Sequence, residues 1–231
     1  SGIIPDQSLL KKQIIKIKIM KSYSKSVKII TGLLFVITLS NQLNAQSNST
    51  NWFLAKDQNG IEVYTREVKN KNVKEFKAVC KIKTSLESLC KLYYDMQHKP
   101  DWVFACESAK ILKVISPTEK TIYIESYAPW PVKNRDVIIN TVLTQNPETN
   151  EIIIKEIGIP DFISKNSGIV RIPEYKGFYR FKPLNNGHVE VTFQCFSDPG
   201  GKLPGFLVNV STIDNPFDTL TKMKELLENN K

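Results

Sequence analysis

The sequence predicts an α+β domain in which a curved antiparallel sheet wraps around one long C-terminal helix. Two observations predict it. From about residue 61 to 196 the chain reads mostly as alternating apolar and polar runs separated by short turns. Connections that short favour an antiparallel meander over βαβ crossovers. Beyond that stretch the period changes. Phe206, Val210, Ile213, Phe217, Leu220, Met223 and Leu227 recur every three or four residues, a helix with one continuous apolar stripe.

The elements follow in order. Residues 46–50 (Gln-Ser-Asn-Ser-Thr) are a polar lead-in, and Thr50 is placed to cap a short helix carrying Trp52, Phe53 and Leu54. Asn59-Gly60 marks a turn, and Ile61 to Arg66 alternates as a strand does. A second strand runs from Val73 to Lys83, with Phe76, Ala78, Cys80 and Ile82 on one face. Thr84-Ser85 then leads into a helical stripe of Leu86, Leu89, Cys90, Leu92 and Tyr93. It ends near His98-Lys99-Pro100, because proline disfavours helix in the residue before it. Strands crowd together after Trp102, over 108–116, 119–127, 135–145, 151–157, 167–173, 176–182 and 187–196. Turns such as Pro117-Thr118, Asn146-Pro147 and Asn185-Asn186-Gly187 separate them. Pro216 must kink the last helix, or restart it with Asp214 or Asn215 as cap. Such a sheet buries its apolar face by curling around the helix, a helix-grip arrangement.

Composition bounds the rest. The 231 residues are 41% hydrophobic and 24% charged, enough for a real core without disulfides or metals. Of the net charge of +9, residues 1–45 hold +6, from seven lysines against Asp6, which leaves +3 for residues 46–231. So small a surplus, with no Lys/Arg run, argues against nucleic acid as a partner. Met20 opens a basic segment, Ile29 to Leu39 is mostly apolar, and Asn41 to Ala45 ends in a small residue. That order reads as a signal peptide over 20–45, with the mature domain at 46–231 and residues 1–19 as upstream or vector-derived sequence. The expected location is outside the cytoplasm: periplasmic in a Gram-negative cell, otherwise secreted. A retained membrane anchor is the alternative, although the apolar run falls short of the ~20 residues a span needs. The four cysteines (80, 90, 106 and 195) match no metal spacing, and Cys80 and Cys195 sit in apolar alternations as small core residues. No phosphate loop, dinucleotide fingerprint, His-Glu-x-x-His or Gly-x-Ser-x-Gly is present, so neither a cofactor nor a catalytic constellation is expected.

Two motifs add a family. Pro129-Trp130-Pro131-Val132-Lys133-Asn134-Arg135-Asp136 enters a strand, and Asp198-Pro199-Gly200-Gly201-Lys202-Leu203-Pro204-Gly205-Phe206-Leu207-Val208-Asn209 leads into the final helix. Tyr64-Thr65-Arg66, Asp95 with Trp102, Val170-Arg171 and Tyr179-Arg180-Phe181 fall in the same order across about 50–229. Together they resemble START domains, the lipid-transfer family related to the steroidogenic acute regulatory protein. The resemblance implies a tunnel beneath the C-terminal helix that holds one lipid or sterol-like molecule, in a monomer that touches membranes transiently and is not an enzyme. The alternatives are a helix-grip enzyme, cyclase- or hydrolase-like, and an envelope interaction module without a ligand.

Candidate lining residues combine that implication with strand alternation. Arg135, Ile139 and Thr141 share one side of their strand; Tyr123, Glu125 and Tyr127 share a side of the strand before it. Phe193 belongs to an apolar face, and Phe206, Val210 and Phe217 to the helix stripe. Trp102 is a further candidate, or an aromatic plug. Some members of the family hold an acid–base pair in the tunnel. Glu125 matches the acidic position approximately, but Thr141 stands at the basic one, so Arg135 or Arg171 is the available substitute; the alternative leaves Glu125 solvated on the outer face.

Overall fold

Alternation builds the sheet. In the strand Ile61–Arg66 (β2) the side chains of Ile61, Val63 and Thr65 are buried and Glu62 is exposed. The strand Glu75–Ile82 (β3) repeats the pattern with Phe76, Ala78, Cys80 and Ile82 inward. The computed structural model describes residues 51–201 and 210–229. Ahead of β2 runs β1 (Phe53–Gln58); after β3 come two helices, α1 (Leu86–Tyr94) and the single turn α2 (Lys99–Trp102). The strands β4 (Cys106–Val114), β5 (Glu119–Ser126), β6 (Arg135–Gln145), β7 (Ile152–Gly158), β8 (Val170–Arg171), β9 (Glu174–Pro183) and β10 (Val189–Asp198) follow. A π-helical turn, Val210–Asp214, runs into α3 (Asn215–Asn229).

The strands form one sheet in the order β1-β2-β3-β10-β9-β7-β6-β5-β4, antiparallel throughout except that β8 pairs in parallel with β6. Its two halves are joined by β9, which carries β10 on one side and β7 on the other. Helix α3 packs on the β2–β3 end: Phe217, Leu220 and Met223 join Ile61, Val63, Phe76, Ala78, Cys80 and Ile82 in one core. Leu89 and Tyr93 of α1 and Trp102 of α2 close the same core from the side. A second apolar group, Ile122, Ile124, Val137 and Ile139 with Met96 and Cys106, covers the same face of β5 and β6. We call the face that bears both groups the inner face.

Two expectations change, and the alternative left open at Pro216 resolves. The segment carrying Phe53 and Leu54 is a strand, not a capped helix. Asn59 and Gly60 both have positive φ, which suits a two-residue hairpin turn, and β1 folds back onto β2 through it. Pairing has overridden local helix chemistry there; Thr50 lies outside the described residues. The strand expected over 167–173 shrinks to Val170–Arg171, because residues 159–169 cross the outer face as a loop instead. Pro216 restarts rather than kinks: it sits at the second position of α3, where a missing N–H costs little. All four cysteines are free, and burial pushes the Cys80 thiol up to about 12, as befits a small core residue. No helix among the described residues is long and apolar enough to cross a membrane.

Candidate functional site

Register decides which side chains face α3. Glu156 of β7 pairs with Thr141 of β6 and with Gly177 of β9, so all three share the inner face with Ile152 and Ile154. Arg135 and Val137 stand on that face too, opposite Ser126 and Ile124 of β5. It is mostly aliphatic and aromatic. Tyr179 and Phe193 stack with centroids 4.2 Å apart, and Phe76, Tyr93 and Trp102 meet this pair edge-on.

A polar group is set into that apolar wall. The Glu156 carboxylate accepts hydrogen bonds from the Tyr93 hydroxyl of α1 and, at 2.8 Å, from the Tyr175 hydroxyl of β9. Lys99 is 2% exposed, donates to the Tyr93 carbonyl at 2.8 Å, and lies 4.1 Å from the Tyr93 ring centroid and 4.9 Å from that of Trp102. Burial pushes the Glu156 carboxyl above its usual range, against the lowering pull of both tyrosines and Lys99. Burial likewise lowers the Lys99 ammonium to about 8, with Glu156 opposing the shift. Gly177, opposite Glu156, permits the close approach of β9 and β10: a Cβ there would meet the Gln194 carbonyl of β10 at 2.7 Å. These residues were not among the sequence candidates. The alternation in Ile152-Ile153-Ile154-Lys155-Glu156 does place the carboxylate on an apolar face, and that was the available signal.

The sequence candidates fall into separate places. Ile139 belongs to the apolar cover of β5 and β6; Thr141 is buried beside Glu156 and donates to the Lys120 carbonyl at 3.1 Å. Trp102, Phe193 and Phe217 are buried in the main core, and Trp102 is the aromatic plug. Arg135 is on the inner face and 8% exposed. Phe206 lies outside the described residues, as does the Val210 side chain, although Val210 opens the π-helical turn.

Four candidates need correction. Tyr123, Glu125 and Tyr127 alternate away from Ile122 and Ile124, and it is Ile122 and Ile124 that face inward. Tyr123 is buried on the outer side, where Asn166 of the 159–169 loop donates to its hydroxyl at 3.1 Å. Glu125 accepts from Asn134 at 3.1 Å and from Tyr123 at 3.3 Å, and Tyr127 is largely exposed. Arg171 is also outward. It forms a bidentate pair with Asp136, at 2.7 and 3.0 Å, and donates to the Pro160 and Ile163 carbonyls, tying the loop to β6. The expected acid–base partnership of Glu125 with Arg135 or Arg171 therefore does not form: the carboxylate and Arg135 stand on opposite faces.

A curved sheet closed on a C-terminal helix, with an apolar inner face and a few fixed polar groups, defines a helix-grip domain. The chain belongs to the START domain family, whose model matches residues 38–231. An uncharacterized protein of Pseudomonas aeruginosa is 32% identical over 177 residues, covering 77% of this chain and 87% of its own. The human phosphatidylcholine transfer protein is 21% identical over 183 residues, 77% of this chain and 84% of that protein. Among solved structures, a STAR-related lipid transfer protein from Xanthomonas axonopodis superposes with a TM-score of 0.70 at 32% identity, covering 76% of this chain and 98% of that one. The human StAR-related lipid transfer protein 5 shares the fold alone, with a TM-score of 0.66 at 12% identity over 87% of this chain and 97% of that one. The family's homologues support lipid binding or transfer as its general function.

Proposed function

We propose that this domain takes up one lipid between its inner face and the C-terminal helix and carries it between membranes, without catalysing a reaction. The observation that carries the reading is the inner face itself: aliphatic and aromatic groups over most of its area, with Arg135, Thr141 and Glu156 as isolated polar points. Apolar burial, at ~25 cal/mol per Å², drives uptake of a lipid tail onto such a surface. Relatives that transfer phosphatidylcholine and ceramide make a lipid the ligand of choice. The Glu156 carboxylate is engaged by two tyrosine hydroxyls within the protein, an arrangement suited to holding a wall together rather than to proton transfer.

Membrane contact falls to the β5–β6 hairpin. Trp130 at its tip is 92% exposed, with exposed Tyr127 on the same connection, and an amphipathic ring in that position suits a bilayer interface. The work of such a carrier belongs outside the cytoplasm, in keeping with the basic, apolar and small-residue order of residues 20–45. Mass spectrometry of organic extracts from natively purified protein tests the carrier: a stoichiometric lipid is expected, and protein that emerges empty and takes up no lipid from vesicles overturns it. Intact mass from the native cell tests export, with a start near Gln46 expected and retention of Ile29–Leu39 refuting it.

A further inference from the structure

Among the described residues, five charged side chains are buried: Lys99, Arg135, Asp136, Glu156 and Arg171. A charge taken out of water needs a partner, since an unpaired one is strongly disfavoured. Asp136 and Arg171 satisfy each other on the outer face. That leaves, on the inner side, two cations against the single carboxylate of Glu156, which both tyrosines and Lys99 already surround.

Arg135 is the member without compensation. Its Nη1 donates to the Lys133 carbonyl, and among the described residues its buried Nε has no hydrogen-bond partner and no carboxylate pairs with it. Arg171 makes the contrast inside the same molecule. Its neighbour on β8, Val170, is in register with Arg135, yet Arg171 is saturated by Asp136 and loop carbonyls. Two side chains of one chemistry, on paired strands but opposite faces of the sheet, have opposite bookkeeping. Arg135 also stands at the start of β6, beside half-buried Ser126 and Val170, where the Asp198–Gly201 turn packs back on Val170.

We infer that Arg135 is a binding subsite for an oxyanion, and that the lipid carried by this domain is an acidic one bearing a phosphate or a carboxylate. This deepens the carrier reading and rests on it. The guanidinium presents a planar set of donors that matches either oxyanion, and its free Nε–H is the donor left for it. The apolar groups of β5 and β6 on the same face, Ile124 and Val137 first among them, lie next along the sheet and suit the adjoining chain. The interior surplus of one cation, Lys99 and Arg135 against Glu156, points to a ligand with net negative charge.

The test uses the full chain and vesicles doped with fluorescent phosphatidic acid, fluorescent fatty acid or fluorescent diacylglycerol. Wild type is expected to retain one or both acidic probes over diacylglycerol, and the two acidic arms separate phosphate from carboxylate. Arg135→Gln is expected to reduce that preference about tenfold or more, the weight of one charge-assisted contact, and Arg135→Lys to keep part of it. Uptake of all three probes alike, or an unchanged preference in Arg135→Gln, overturns the subsite and leaves the carrier reading standing. Uptake of no probe removes the carrier reading and the subsite with it. Wild-type selectivity is read without any substitution, so a variant that fails to fold does not shelter the inference.

Discussion

Lys99 shows what a single side chain gains and loses in this fold. Its ammonium is buried against two aromatic rings and one carbonyl, and its pKa falls to about 8 from an ordinary value of 10.5. A lowered lysine costs stability wherever it is charged in the folded state, that is, below about pH 8. Between pH 8 and 10.5 the unfolded chain binds the extra proton, so this residue's contribution to stability rises with pH. A displacement of that size corresponds to roughly 3 kcal/mol between the limits. Urea unfolding of wild type and Lys99→Met at pH 7 and pH 9.5 reads it: the difference between the two proteins is expected to shift toward wild type at the higher pH. A pH-independent difference would refute the assignment. Glu156 and Lys99 also mark where single residues escape a reading of the sequence. His98-Lys99-Pro100 looks like a helix end, and Lys99 does open a turn of helix; its burial comes from the docking of Trp102 and Tyr93, which no local pattern encodes. Glu125 fails for the complementary reason. Alternation says that it shares a side with Tyr123, but which side faces the helix follows from Ile122 and Ile124, equally apolar neighbours of a tyrosine.

At the level of elements the pattern was far more readable, because period-2 and period-3.6 signals sum over many residues. Strands β5, β6, β7, β9 and β10 fall within two residues of their expected bounds. Strand β1 was lost because six residues with weak alternation carry less signal than a hairpin turn, and the strand expected over 167–173 is too long because only Val170 and Arg171 pair, in parallel with β6. Two elements give predictions. Gly177 lies where β9 and β10 approach so closely that a Cβ would meet a carbonyl oxygen at 2.7 Å. Both strands are held by partners on their far sides and cannot part, so Gly177→Ala is expected to destabilise the domain by about 1–3 kcal/mol in chemical denaturation. An unchanged midpoint would mean that the ladder relaxes. The second concerns the C-terminal helix. Val210–Asp214 is wound as a π-helix and α3 restarts at Asn215-Pro216, where proline gives no N–H to the preceding turn. On the proposed carrier reading, this junction is where the helix is expected to open as a gate for the lipid. Pro216→Ala is expected to slow exchange of a fluorescent lipid between vesicles while leaving the extracted lipid unchanged, and equal rates would remove the helix as a gate.

At the scale of the whole molecule, the proposed carrier reading predicts which surface meets a membrane. Two-thirds of the chain's charge surplus, +6 of +9, lies in residues 1–45, which leaves +3 over residues 46–231. A general electrostatic hold on anionic bilayers is therefore weak, and contact has to come from a local apolar group. On the proposed reading Trp130 is that group. It projects from the β5–β6 connection with 92% of its surface exposed, on the side of the sheet where β6 begins with Arg135. An indole so exposed contributes little to folding, so its removal leaves stability within the range of ordinary surface changes. At a bilayer the same ring gains an interfacial environment, and aromatic burial on the order of 1.5–3 kcal/mol translates into roughly tenfold or more in membrane-bound fraction. Trp130→Ala is expected to lower the rate of lipid transfer between vesicles by about that factor, with Trp130→Phe retaining most of it and the melting temperature unmoved. Indole fluorescence is ambiguous here, since Trp102 is buried and Trp52 lies within 5 Å of two cations, so vesicle co-sedimentation is the cleaner companion measurement. Wild-type transfer and sedimentation in Trp130→Ala, with lipid still bound, would assign membrane contact to another surface.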